Sequence, residues 1–371
     1  MGMCQNKESE YTQKKPNFKC DVPEEEDEDE KIGEATQLSI EGETVTSNQK
    51  LSLQDFELIK VIGRGSFGKV LLVKKLNDQK LFAVKILKKK MLSMKKFHDQ
   101  AIQERKILSL INSPFMVKLH YAFQSPSRLY MVMDFMQGGE LFLHLRKNSK
   151  FPEEWVQFYA AELLVAIDLL HSSNIIYRDL KPENILLDKS GHIVLTDFGL
   201  SKLGFEKNEL TYTFCGTPEY VAPEILYKRG HTFAVDFYSY GALIYEMLCG
   251  IPPHYSKNKK EMLQNRCEKP LEMKSCFSFY AASLLKGLLT KDPGLRLGSH
   301  GIKEIKKHNF FNGINWQLVE QRKLQPPIIP YIQNVQDLSN FDTAFLQQPI
   351  VDTPESKQNE NFVGFTYYQQ M

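Results

Sequence analysis

The octamer Tyr177 to Asn184, YRDLKPEN, is followed thirteen residues after Asn184 by Asp197-Phe198-Gly199, and these two stretches constrain the chain more than anything else in it. They set a base-like carboxylate, Asp179, a lysine, Lys181, and two oxygen-bearing side chains suited to a hard cation, Asn184 and Asp197, at fixed separations. Chemistry that moves a phosphoryl group needs such a set, because it is mostly positioning and charge neutralisation around the transferred group. A polar turn that spells these residues by accident is the alternative, and the partner motifs elsewhere in the chain weigh against it.

The first partner is Gly63-Arg64-Gly65-Ser66-Phe67-Gly68-Lys69-Val70, where missing side chains let backbone amides close over phosphates. A dinucleotide-binding loop with this glycine pattern would lie between a strand and a helix. Here the loop leads into Val70 to Val73, which reads as strand, so that alternative loses. Short apolar runs surround it, Leu58 to Ile62, Val70 to Val73 and Leu81 to Ile86, and predict an antiparallel small lobe. Apolar residues at helical spacing from Phe158 to Leu170, and again through Ala242, Ile244, Tyr245 and Leu248, predict a helical large lobe, with the lobes meeting near Asp134 to Met136.

With 371 residues and 42% hydrophobic content the chain has room for one such two-lobed domain. The net charge of +2 hides an asymmetry, because residues 1–50 hold 13 acidic and 6 basic side chains, with Glu24 to Glu30 unbroken acid. That composition cannot repay ordering entropy by burial and predicts a disordered acidic extension. The basic remainder suits an anionic nucleotide, and without arginine-rich runs or base-stacking aromatic clusters it predicts no nucleic-acid binding. Cys4, Cys20, Cys215, Cys249, Cys267 and Cys276 show no paired metal-ligand spacing, and neither a secretory signal nor a run of membrane-spanning length is evident. Reduced thiols in the cytosol or nucleus are the expectation.

Together these motifs resemble the eukaryotic protein kinases. The resemblance implies an α+β, bilobal protein kinase fold, with a small antiparallel β-sheet lobe and a large mainly helical lobe, over residues 56–311. It implies ATP and Mg2+ as well. In the family Asp179 orients the acceptor hydroxyl, Lys181 steadies the transferred phosphoryl, and Asn184 and Asp197 hold magnesium. Lys85, in Ala83-Val84-Lys85-Ile86, takes the α and β phosphates with Glu104 as its ion-pair partner. The nucleotide would lie among Ile62, Gly63, Gly65, Ser66, Phe67, Gly68, Val70, Ala83, Met133, Asp134, Met136, Glu140 and Leu186, although Met133 on spacing alone reads equally as a core methionine. Ala222-Pro223-Glu224 closes the activation segment and Arg296 is the arginine expected to pair with its glutamate, while Asp236 is expected to hold the catalytic loop from below.

Tyr177 in place of the usual histidine, Thr213 to Tyr220 (TFCGTPEY), and residues 312–371 resemble the AGC group of serine/threonine kinases with its C-terminal tail. The tail wording, Asp352-Thr353-Pro354 and then Phe362-Val363-Gly364-Phe365-Thr366-Tyr367, is similar to the ribosomal-protein kinases of the S-six type, with protein kinase B as near neighbour. The resemblance implies activating phosphates, placed by upstream kinases, on Thr213 and Thr366, with Arg178 and Lys202 receiving the first, and a turn phosphosite at Thr353. Phe362 and Phe365, aromatic in a polar tail, should seek a groove beside the Glu104 helix. Phe341-Asp342 should cross near the adenine pocket. Gln100, four before Glu104, replaces a histidine that many relatives turn toward the loop phosphate.

Glu140, Glu183 and Glu246 match positions that in these kinases receive arginine, so protein substrates with an arginine three residues before the acceptor are expected. Phe18 to Val22 resembles a five-residue docking signal for TOR complexes at three of its positions, and Asn6 stands where N-myristoylation of Gly2 would want Ser or Thr, so a membrane is not expected. The rival from another class is a pseudokinase, an ATP-binding scaffold. Its usual signature, loss of Lys85, Asp179 or Asp197, is missing.

Overall fold

The computed structural model describes residues 51–65, 67–92, 94–206, 209–350 and 361–369. The acidic run, Gly2, Phe18 to Val22, Ser66 and Thr353 lie outside the described residues.

The small lobe is a sheet of β1 (Phe56–Gly65), β2 (Gly68–Lys75), β3 (Leu81–Lys88), β4 (Leu119–Gln124) and β5 (Arg128–Asp134), with α1 (Lys95–Leu110) between β3 and β4. All pairings are antiparallel, in the order β1-β2-β3-β5-β4. β2 approaches β3 so closely at Gly68 that a Cβ there would lie 1.7 Å from Ile86 O, and only glycine fits. α1 begins at Lys95, where exposed Lys95 and Lys96 precede half-buried Phe97 and His98, so a helical apolar repeat is weak over its first turn.

The large lobe carries α2 (Leu141–Asn148), α3 (Glu153–Ser172), the short strands β6 (Ile175–Ile176), β7 (Ile185–Leu187), β8 (Ile193–Leu195) and β9 (Lys202–Leu203), then α4 (Pro223–Leu226), α5 (Ala234–Cys249), α6 (Lys259–Glu268), α7 (Phe279–Leu288), α8 (Lys303–Lys306) and α9 (Trp316–Glu320). Every residue of α5 from Ala234 to Leu248 is buried, as an all-round apolar helix must be, and Gly250 ends it in the left-handed conformation at φ 85°. Strand pairs β6–β9 and β7–β8 frame the octamer and Asp197. One core spans both lobes and includes Leu108, Leu119, Tyr177 and Phe198, the last two in edge contact at 5.5 Å.

The tail is no loose end. Asn340 Nδ2 donates to Gln137 O at 3.2 Å, Gln137 Nε2 donates to Val335 O at 2.9 Å, and Phe341 stacks on Phe135 at 5.5 Å, so the chain straps the hinge before α10 (Thr343–Leu346). β10 (Tyr367–Tyr368) then pairs antiparallel with β4, opposite Ala122 and Tyr121, and covers the edge that the sheet would otherwise expose. Phe362 and Phe365 are 0% exposed. Phe362 stacks on His98 of α1 at 4.1 Å, and its backbone exchanges hydrogen bonds with the Gln124 side chain, N to Oε1 at 3.1 Å and Nε2 to O at 3.0 Å.

Replacing Phe362 with alanine removes the largest anchor of this segment, a change that costs about 3–5 kcal/mol at a fully packed site. The expected result is local release: amides of residues 367–369 lose hydrogen-exchange protection while those of α5 keep theirs. Unchanged protection at 367–369 would show that β10 holds without the anchor.

Candidate active site

Lys85 points from β3 toward the gap between the lobes, where its Nζ lies 2.6 Å from Glu104 Oε1 on α1 and 3.0 Å from Asp197 Oδ1 just beyond β8. Burial pulls the Lys85 ammonium down, but the two carboxylates outweigh it and hold the group protonated well above its usual range. Enclosure would raise the Asp197 carboxyl, yet Lys85 prevails and holds it below the usual carboxylate range. Nearly half of the Asp197 side chain (47%) remains open, facing the cleft, so it keeps coordination capacity.

The catalytic loop runs from β6 to β7. Asp236 at the start of α5 accepts from Tyr177 N at 2.9 Å and Arg178 N at 2.8 Å and contacts His171 Nε2 at 2.8 Å, so one buried carboxylate fixes the backbone on which Asp179 stands. Arg178 and Asp197 both have left-handed backbones, φ 67° and 58°, a strain that persists only where surrounding bonds impose it. Asp179 Oδ2 contacts Lys181 Nζ at 2.9 Å and accepts from Asn184 Nδ2 at 3.1 Å. Its Oδ1 accepts from the Thr217 hydroxyl at 2.6 Å, and Lys181 donates to that hydroxyl at 2.9 Å. Among the described residues no group of three or more His, Cys, Asp or Glu side chains forms a metal cage. Asn184 and Asp197 each offer a hard oxygen donor, the ligand type that suits a magnesium-sized ion keeping water and phosphate ligands.

Across the hinge, Ile62 and Ala83 are buried in one small cluster with Val70 and Phe341, and Met133 is the cross-strand partner of Ala83. Asp134 ends β5 with its carboxylate 2.6 Å from His120 Nε2, Met136 packs on the main core, and Leu186 bridges Glu140. Gly63 and Gly65 face Val70 and Gly68 across the β1–β2 turn, whose Phe67 ring lies 4.8 Å from Phe97 of α1.

Glu140 and Glu183 face one another electrostatically at the other end of the cleft. Burial, then the Glu183 charge, pushes the Glu140 carboxyl up to about 7, and burial raises Glu183 as well, with its Oε2 buried and unpartnered. Glu246 is likewise pushed up to about 7 by burial, though Tyr220 OH donates to it at 2.5 Å. In the catalytic loop Arg178 Nη1 is buried with no partner, while Lys202 of the activation segment, expected beside it as a phosphate contact, pairs with Glu209 at 2.7 Å. Thr213 is half-buried and Thr366 exposed.

Two contacts were not legible. Thr217 reads as one letter of a loop motif, and only the fold brings its hydroxyl to Asp179. Gln103, with its amide oriented to donate to Ser201 O at 3.3 Å and accept from Leu203 N at 2.8 Å, couples α1 to the segment after Asp197 and carries no sequence signal.

The protein kinase domain family matches residues 56–311, and the protein kinase C terminal domain family matches residues 332–367. The zebrafish (Danio rerio) serine/threonine-protein kinase Sgk1 is 47% identical over 336 residues, covering 87% of this chain and 78% of that one. Protein kinase 2 of Dictyostelium discoideum is 46% identical, covering 86% and 68%, and serine/threonine-protein kinase gad8 of Schizosaccharomyces pombe 47%, covering 82% and 53%. With an intact Lys85–Glu104–Asp197 arrangement, both kinase domains matched and these relatives, the chain belongs to the protein kinase family as a serine/threonine protein kinase of the AGC group.

Proposed function

We propose that this kinase phosphorylates serine and threonine preceded, three residues earlier, by arginine, and that phosphates on Thr213 and Thr366 raise its activity. The substrate preference rests on one observation: Glu140 and Glu183 are half-buried and close enough for the Glu183 charge to act on Glu140, with raised pKa values and a buried, unpartnered oxygen on Glu183. A guanidinium supplies the charge and the donors that this pair lacks.

Lys85 holds the α and β phosphates of ATP, beneath the backbone of Gly63, Gly65 and Gly68. Asn184 and Asp197 would hold magnesium, which when bound would supply neutralisation of phosphate charge. The acceptor oxygen attacks the γ phosphorus as the bond to the β–γ bridging oxygen breaks. Asp179 orients the hydroxyl and takes its proton late, Lys181 steadies the transferred group, and ADP leaves. The buried, unpartnered Arg178 Nη1 favours an incoming phosphate on Thr213, with Lys202 exchanging Glu209 for it. The pseudokinase alternative has no support in the comparisons, since the matching relatives are named as kinases. The thiols of Cys215, Cys249 and Cys276, outside any disulfide among the described residues, favour a reducing compartment, cytosol or nucleus.

Transfer of labelled phosphate to a degenerate serine peptide library is expected to select arginine three residues before the acceptor, and the Asp197→Ala variant to lose at least about a thousandfold of the rate. Selection of a different residue there sinks the substrate reading. Acidity supplies a second check. Glu140 has its pKa pushed up to about 7, and a bound guanidinium lowers it, so binding releases a proton and tightens as pH rises through that value. The KM of an arginine peptide should fall severalfold from about pH 6 to about pH 8, while that of its alanine counterpart stays level. Parallel profiles would assign the pH effect elsewhere. Finally, Thr213-phosphorylated enzyme should outpace the unphosphorylated form by at least about tenfold, and Arg178→Ala should abolish the difference. A phosphate response that survives in the variant removes Arg178 from the switch.

A further inference from the structure

Helix α6 reads as polar surface in its sequence, KKEMLQNRCE, yet Arg266 within it is 0% exposed. Its guanidinium faces the end of the activation segment. Nη1 donates to Val221 O at 3.0 Å and also to Pro218 O, and Nη2 donates to Glu219 O at 2.7 Å. Among the described residues its hydrogen-bond partners are all backbone carbonyls, and Nε is buried without one. Burying an arginine with no carboxylate beside it is costly, and an apolar side chain of similar volume would fill the space at lower cost. The planar fork does what such a side chain cannot: it fixes several carbonyls of one loop at once.

Those carbonyls belong to a shelf beside the catalytic carboxylate. The amides of Tyr220 and Val221 turn inward to Thr217 O at 2.9 and 3.0 Å, while the carbonyls of Pro218, Glu219 and Val221 face α6. At one end Thr217 touches Asp179 and Lys181. At the other, Tyr220 OH reaches Glu246 and Tyr220 O accepts from Ser239 Oγ at 3.0 Å. α6 is itself anchored, since Cys267 O accepts from Lys291 Nζ at 2.8 Å and Tyr227 OH at 3.3 Å. A peptide whose hydroxyl reaches Asp179 comes up against Thr217, and so against the shelf that Thr217 begins.

We propose that Arg266 is a positioning residue that fixes the 217–221 shelf and thereby sets selectivity for the residue immediately following the acceptor. The assignment rests on the substrate reading above. It is tested on the full chain phosphorylated at Thr213, comparing Arg266→Leu and Arg266→Lys with the unmodified enzyme on serine peptides varied at the following position. Arg266→Leu should raise peptide KM about tenfold, flatten selectivity at that position and leave the KM for ATP unchanged, and Arg266→Lys should restore part of both. Peptide KM and selectivity equal to those of the unmodified enzyme, or a fall in kcat alone, overturns the assignment. Should Arg266→Leu fail to fold, Arg266→Gln, which keeps two donors, gives the same comparison. Hydrogen exchange in the unmodified chain adds a check free of variants: the amides of Tyr220 and Val221 should exchange as slowly as those of α5, and exchange at open-loop rates removes the rigid shelf. An unmodified enzyme that selects no arginine before the acceptor defeats the underlying substrate reading. One that selects it, while the variants match its profile after the acceptor, defeats only the role of Arg266.

Discussion

One buried ammonium sets the relation between the lobes. Lys85 has 16% of its side chain exposed and two carboxylate partners on different elements, Glu104 on α1 and Asp197 beyond β8. A charge so placed must be paired, and removing one partner of a buried pair costs about 3–5 kcal/mol, so the sheet, the helix and the loop bearing Asp197 are held to one arrangement. α1 spreads that constraint. Its His98 carries the Phe362 ring, its Arg105 donates to Gly364 O, and its Gln103 holds the Ser201–Leu203 backbone. Tail docking and activation-segment order are therefore both contacts to the helix that bears Glu104. Contacts from the tail and from the segment after Asp197 thus reach the helix that pairs with Lys85 without passing through Gln100.

The site is strained, and its supports lie in the large lobe. Left-handed backbones at Arg178 and Asp197 cost on the order of 1–3 kcal/mol each. Asp236, 1% exposed, repays this at Arg178 by accepting from the two amides that the turn leaves pointing inward. The outer frame is a second buried ion pair, Arg296 with Glu224, bidentate at 2.6 and 2.8 Å, which closes the activation segment against the loop after α7. Neither pair touches the reaction, and both keep the loop that does in a conformation it would not otherwise hold.

Much of this was legible because kinase chemistry is local in sequence. Asp179, Lys181 and Asn184 lie within six consecutive residues, so their spacing survives any uncertainty about the fold. The sheet, α3 and α5 follow from apolar periodicity. The start of α1 does not, because the apolar repeat is weak over its first turn. β10 is too short to show as a strand, and exists because β4 offers an open edge and Phe362 and Phe365 are anchored nearby. Lys202 looked free to meet a phosphate and is held by Glu209, a contact seven residues away across a turn that no residue pattern announces. Arg266 was illegible for the opposite reason. A charged residue in a polar helix reads as solvated, and only tertiary packing places it beneath a loop.

Under-compensated groups of both signs lie near the reaction site. Half-buried Glu140 and Glu183 are the acids on the side of α2, and buried Arg266 is the cation beneath the 217–221 shelf. In a low-dielectric site like charges repel strongly, so a peptide arginine is drawn to the first side and disfavoured over the second. On the proposed reading, that asymmetry does more than add affinity. It fixes the direction in which a substrate chain can cross the carboxylate, because reversing the chain would carry its arginine from the acids onto the shelf. A single basic residue then encodes both recognition and orientation, and the fold needs no deep pocket for the acceptor itself.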